Sequence, residues 1–184
     1  MADDKAAVKT SAGSGLRGQA AGQTAICTVG AEGNSLRYRG YDIVELAERS
    51  TFHEVAHLVL KGHLPNRAEL HAWKARLKGL RGLPQALKDV LERIPANAHP
   101  MDVMRTGCSF LGNIEPEGDF SNQMAVAERL LALFPAIVVY WYRYSHDGMR
   151  IETETDDDSI GAHFLHMLHG AAPDAPSSAP RRGS

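Results

Sequence analysis

From Gln123 to Gly148 the chain reads QMAVAERLLALFPAIVVYWYRYSHDG, and within it Leu130, Phe134, Ile137, Trp141 and Tyr144 recur at alternating steps of four and three. That spacing lays one side of a helix against a partner. Ala136, Val138, Val139 and Tyr140 occupy positions that a surface helix gives to charge. The second half of the helix is therefore expected to be enclosed by several neighbours or by a second copy of the chain. Pro135 cannot donate a helical hydrogen bond and its ring crowds the previous turn, which predicts a break or a bend. The run from Leu130 to Tyr142, interrupted by Pro135 and bounded by Arg143, is shorter than the roughly 20 residues of a bilayer span. It reads as a core or interface helix, and no membrane association is expected.

Two further segments carry apolar stripes at helical spacing. After Pro100, Met101, Met104, Cys108 and Leu111 follow a three-four-three pattern, an edge able to lie along the long helix so that two seams pair. From Asn66, Leu70, Trp73, Leu77 and Leu80 share a face, with Lys74, Arg76 and Lys78 left to solvent. Helix starts are legible from their chemistry. Thr51 with Glu54, and Asn66 with Glu69, have the spacing of reciprocal caps. Pro84 and Pro100 suit first-turn positions. Asp158 is placed to cap a last helix, SIGAHFLHMLH, which Gly170 ends. Before the helices, TAICTV (Thr24–Val29) favours a strand, AEGNS (Ala31–Ser35) a turn, and LRYRGY (Leu36–Tyr41) a second extended stretch, together a small hairpin. The expected class is mainly α with this hairpin at the N-terminus.

Composition narrows the choice. The chain's 184 residues, 43% hydrophobic, suffice for one domain with a hydrophobic core. A net charge of -2 without a basic cluster disfavours nucleic acid and anionic lipid as partners. Cys27 and Cys108 fit no metal or disulfide spacing and are expected as reduced thiols in a cytoplasmic protein. The polar N-terminus to about Gly15 lacks large apolar side chains and carries no targeting signal, so disorder is expected there. Beyond Gly170, AAPDAPSSAPRRGS has no apolar period and is expected not to fold.

Three patterns invite a chemical reading. His53-Glu54-Val55-Ala56-His57 matches H-E-x-x-H, which holds zinc between histidines one turn apart with glutamate as general base, and His63 lies where a third ligand falls. The three-histidine version needs glycine three residues after the second histidine, where this chain has Leu60, and Glu54 already serves as a cap. A zinc hydrolase is thus the remote alternative. His163, His166 and His169 spread over roughly 120° of helix surface with no evident carboxylate beside them, and read as structural histidines. His99 marks a helix start, and Arg105 and Arg143 read as exposed or ion-paired rather than as grips for an anionic substrate.

Six stretches, in order, resemble the citrate synthase family: AGQTAICTVG (Ala21–Gly30), LRYRGYDI (Leu36–Ile43), FHEVAHLVLKGHLP (Phe52–Pro65), HPMDVMRTGCSFLG (His99–Gly112), YWYRYSHDG (Tyr140–Gly148) and DDSIGAHFLHMLHG (Asp157–Gly170). They cover about Leu16 to Gly170, and the fourth and fifth favour the methylcitrate branch of the family. The resemblance implies part of a large helical domain from a dimeric acyltransferase that condenses propionyl-CoA or acetyl-CoA with oxaloacetate and releases coenzyme A. An acyl-CoA is then a co-substrate, and no bound cofactor is expected. It also implies that the helices at His99–Gly112 and in the long central stretch help form the dimer interface. The expected interface is Met101, Met104, Cys108, Leu111, Leu130, Phe134, Ile137, Trp141 and Tyr144.

Such a condensation needs a carboxylate base, a donor for the developing enolate, and histidine and arginines for the keto acid. In the family these lie downstream of the last matching stretch, in later helices and in the small domain. Leu168-His169-Gly170 superficially resembles the family's L-H-G-G-A-N motif, but Ala-Ala-Pro follows it, so His169 takes no catalytic role. No catalytic, cofactor-binding or metal-ligating residue is assigned. The expectation is a truncated synthase, with residues 1–15 and 171–184 outside the family pattern, inactive alone and pairing with itself or a full-length synthase through the retained helices; the alternative is a non-catalytic helical dimerisation or interaction module. A frameshift is one route to such a chain, and the locus sequence checks it.

Overall fold

The computed structural model describes residues 22–30 and 36–171. The turn expected at Ala31–Ser35, the disorder expected to about Gly15 and the unfolded tail expected beyond Gly170 fall on residues 1–21, 31–35 and 172–184, which lie outside the described residues. The first elements are three short strands, β1 Cys27–Val29, β2 Leu36–Tyr38 and β3 Tyr41–Asp42, in one antiparallel sheet in that order. Cys27 pairs with Tyr38 and Val29 with Leu36, while Tyr38 pairs with Tyr41. The extended stretch read from Leu36 to Tyr41 is therefore two strands. They are joined by Arg39 and Gly40 at φ 50° and 89°, the positive pair that a two-residue hairpin turn matched to strand twist requires. Thr24 to Ile26 are not in the strand, although Arg39 N still donates to Ile26 O at 2.8 Å.

Seven helices follow: α1 Ile43–Arg49, α2 Phe52–Lys61, α3 Arg67–Lys78, α4 Gln85–Leu91, α5 Pro100–Ile114, α6 Gln123–Asp147 and α7 Ile160–His169. Both reciprocal caps form. Thr51 Oγ1 accepts from Glu54 N and the Glu54 side chain from Thr51 N, and Asn66 and Glu69 repeat the arrangement. His99 caps α5 ahead of Pro100 at its first position. Two expected starts shift by one residue. Pro84 is the N-cap of α4 rather than a first-turn residue, and Ser159, not Asp158, caps α7 by accepting from Ala162 N. Gly170, at φ 75°, ends α7 in the left-handed conformation that glycine adopts without strain.

α6 is the axis on which α3, α4, α5 and α7 pack. It is one continuous helix with Pro135 inside it, so of the break or bend expected there, a break does not occur. Its second half is buried on several sides, as its composition predicts, with Ala136, Ile137, Val139, Tyr140 and Trp141 all nearly inaccessible, and Ala132 and Leu133 just before it likewise. With the short 3-10 turn before it (Phe120–Asn122), α6 is long and apolar enough to cross a membrane by length and composition, a longer stretch than the Leu130–Tyr142 run. Its inward residues are instead the core of a helical domain. Gly107 of α5 permits the closest approach, since a Cβ there would lie 2.8 Å from Ile137 Cγ2. The larger core cluster joins α4, α5, α6 and α7, and a smaller one joins Trp73 and Leu77 of α3 to Ala132 of α6.

Candidate functional site

The expected interface residues divide into three groups. Leu111, Ile137 and Trp141 are 4%, 0% and 2% exposed, and Trp141 Nε1 donates to Ile94 O. They belong to the chain's own core and are not available to a second copy. Met104, Cys108, Leu130, Phe134 and Tyr144 are half-buried. Met101 is 63% exposed. The buried α5 residues are Val103, Gly107 and Leu111; of the expected edge Leu111 lies among them, whereas Met101, Met104 and Cys108 do not. α5 and α6 do pair, as expected, by a face that shares only Leu111 with the expected edge.

Two concave surfaces flank this helix pair. Cys108, Leu111 and Leu130 line one of about 640 Å³, shared with Leu80 and Arg129. Arg129 forms a two-pronged ion pair with Glu115 and donates Nη1 to the carbonyls of Leu80 and Gly82. The other, about 450 Å³, lies between α2 and the first half of α6 and is walled wholly by apolar side chains.

The charged groups within the fold serve packing. Glu128, in the apolar sequence of α6 and 2% exposed, is held by Lys61 of α2 at 2.5 Å and by Arg76 Nε of α3. Burial pushes its carboxyl upward, but these two hydrogen bonds and charges outweigh that and hold it below the usual carboxylate range. Glu92 after α4 accepts from Tyr140 Oη at 2.8 Å and from both prongs of Arg150, which bring its carboxyl down to about 2. Sequence reading missed both groups. The available signal for Glu128 was its place four residues before Ala132 and eight before Ala136, on a stripe otherwise apolar.

The H-E-x-x-H pattern makes no metal centre. His53 and His57 both turn inward, His57 Nδ1 is 2.9 Å from His63 O, and the Glu54 carboxylate is occupied by Thr51. Among the described residues no group of three potential ligands converges. The zinc alternative fails because a histidine and the glutamate are already engaged by the helix's own packing and capping. In α7 the correction runs the other way, since a carboxylate does stand beside the histidines. His166 Nδ1 is 2.8 Å from Asp157 Oδ2, and His163 Nδ1 is 2.9 Å from Thr155 Oγ1. His163 is fully buried and pushed down to about 4 by burial and then by the charge of Arg81. Arg105 pairs with Asp102 and Arg143 with Asp147, the ion-paired state expected of them.

The sequence profile described as "Citrate synthase, C-terminal domain" matches residues 15–180. This chain belongs to the citrate synthase family. The matched span runs past Gly170, where the resemblance read from the sequence ended. Among curated proteins, the chain is 69% identical over 163 residues to 2-methylcitrate synthase of Shewanella oneidensis, covering 89% of this chain and 44% of that protein. It is 37% identical over 161 residues to 2-methylcitrate synthase of Mycobacterium tuberculosis H37Rv, covering 87% and 41%. The chain thus spans less than half the length of these curated relatives.

Solved citrate synthases share the fold. That of Thermotoga maritima superposes with a TM-score of 0.70 at 31% identity, covering 88% of this chain and 42% of the other. That of Pyrobaculum aerophilum gives 0.71 at 32%, covering 86% and 42%. The described chain is a helical array, α1 to α7, preceded by three short strands. Its mainly α class with a small N-terminal sheet agrees with the class read from the sequence.

Proposed function

We propose that this chain is the helical scaffold portion of a 2-methylcitrate-type synthase, an acyltransferase of propionate metabolism. The reaction is the condensation of propionyl-CoA, or acetyl-CoA, with oxaloacetate, with release of coenzyme A. The observation that carries this reading is the 69% identity to 2-methylcitrate synthase sustained over 163 residues. By itself the chain is proposed to be inactive and cytoplasmic. Carboxylates drawn into the described fold support inactivity. Glu128 is engaged by Lys61 and Arg76, Glu92 by Arg150 and Tyr140, and Asp157 by Thr155 and His166, which leaves none of the three as a ready base for a thioester's α-proton.

Pairing with a second copy, or with a full-length synthase, is proposed along the exposed edge of α5. Met101, Met104 and Cys108 stand there at one-face spacing with Met101 largely open to solvent. The test is coenzyme A release from propionyl-CoA and oxaloacetate, followed with a thiol reagent on the purified chain. Release at the uncatalysed rate is expected. Turnover by a sample free of other synthases would overturn the claim of inactivity.

A further inference from the structure

We propose that the recess between α3 and the Asp158 segment ahead of α7 binds a chain of two or three phosphates, free or as the end of a nucleotide.

The sequence of α3 builds one wall of the site. Arg67, His71, Lys74 and Lys78 follow steps of four, three and four, which sets all of them within about 60° of the helix circumference. No two are adjacent in the sequence, so they form no basic run and become a row only when the helix forms. Leu70 and Ala75 flank the row, and Asp158 stands on the facing rim. The recess holds about 380 Å³, within the roughly 300 to 1,000 Å³ of small-molecule pockets.

The charge of this row is not neutralised as it is elsewhere in the fold. Lys61 and Arg76 hold Glu128, Arg129 holds Glu115 and Arg150 holds Glu92. Among the described residues Arg67 and Lys74 enter no ion pair, and Lys78 pairs with the solvent-exposed Asp156. One carboxylate, Asp158, thus faces three cations across the recess. The positive field reaches the interior behind the row. His53, 3% exposed, is pushed down by burial first and then by the charges of Lys74 and Arg81.

Spacing selects the ligand. Arg67 and Lys74 lie two turns apart, about 10 Å along the axis. A single phosphate meets groups on neighbouring turns only, whereas linked phosphates meet the planar fork of Arg67, the ring N–H of His71 and the point charge of Lys74 together. The row is one helix long and is bordered by Asp156 and Asp158, which disfavours an extended polyanion such as nucleic acid.

The experiment is calorimetric titration of the 184-residue chain, in low-salt buffer, with inorganic phosphate, pyrophosphate, tripolyphosphate, ADP and a single-stranded oligonucleotide. Arg67→Glu puts an acidic residue at the first position of α3, where it favours the helix, and Lys74→Glu is accompanied by Lys74→Gln. Arg105→Glu, on α5, makes the same change in net charge away from the recess. Asp158→Ala leaves the α7 cap intact, because Ser159 supplies it. Circular dichroism verifies that each variant is helical.

Tripolyphosphate and pyrophosphate are expected to bind wild type, and each glutamate variant to bind them about tenfold or more weakly, the effect of one lost charge-assisted hydrogen bond. Lys74→Gln is expected to fall between, Arg105→Glu to match wild type, and Asp158→Ala to bind more tightly, an opposite sign that a folding defect does not produce. Tighter binding of ADP than of pyrophosphate would assign the nucleotide as the source, and equal or weaker binding the free anion. No binding by wild type, equal loss on Arg105→Glu, or inorganic phosphate binding as well as tripolyphosphate would overturn the proposal. So would tighter binding of the oligonucleotide than of every phosphate. None of these outcomes bears on the synthase reading, which coenzyme A release tests.

Discussion

His163 shows how one residue's surroundings set a property of the whole chain. It sits in α7 with no exposed surface, its Nε2 without a hydrogen-bond partner among the described residues, facing Arg81, Asp157 and His166. A histidine in the unfolded chain titrates near 6.5, while this one is pushed down to about 4. Between those values the unfolded chain takes up a proton that the folded chain excludes. Stability from this group is thus complete above about pH 6.5 and lost as pH falls through about 4. Glu92 extends the acid sensitivity, because a carboxyl held at about 2 contributes stability above about pH 4.5 that is lost toward 2. His163→Asn is expected to flatten the slope of stability between about pH 6.5 and 4 in urea melts across a pH series. An unchanged slope would show that His163 is not its source. The sequence placed three histidines on one helix. It could not show which is dry, because that depends on burial by the folded chain and on the charge of Arg81, far away in sequence.

Among the elements, the α5 and α6 contact turns on a residue that apolar periodicity does not count. Gly107 has no side chain to register as hydrophobic, yet its lack of a Cβ lets α5 approach Ile137, which is fully buried. Gly107→Ala gains helix propensity of about 1 kcal/mol but places a methyl in a filled core, costing about 1 to 3 kcal/mol. Net destabilisation is expected. Gly112→Ala, on the same helix with nothing within 4 Å of its Cβ, is expected to stabilise by about 0.5 to 1 kcal/mol. Denaturant midpoints of the two variants, moving in opposite directions, check this. Helix starts were legible because a cap is made within four residues, as with Thr51 and Glu54. The packing edge of α5 was not, because Val103, Gly107 and Leu111 become a face only against α6.

For the whole molecule, the question is what its open apolar surface does in water. Phe52, Met101 and Phe120 are 58%, 63% and 75% exposed, and the core is divided into two clusters. Each large side chain left open forgoes about 1.5 to 3 kcal/mol of burial, set against the roughly 5 to 15 kcal/mol that holds a domain together. The isolated chain is therefore expected to bind the dye ANS with enhanced fluorescence and to self-associate as concentration rises. A dye-silent, monodisperse monomer with a sharp thermal transition would refute this.

The sequence alone determined the helical class, the reciprocal caps at Thr51 and Asn66, the central place of the long apolar helix and, through six ordered stretches, the family. These depend on neighbouring residues or on patterns that survive in one dimension. Only the tertiary structure decided that Leu111, Ile137 and Trp141 belong to the chain's own core, that a glycine sets the helix spacing, and that α2 and α6 leave an apolar trough open between them. Burial is a relation between distant segments, so it exists only once the chain has brought them together.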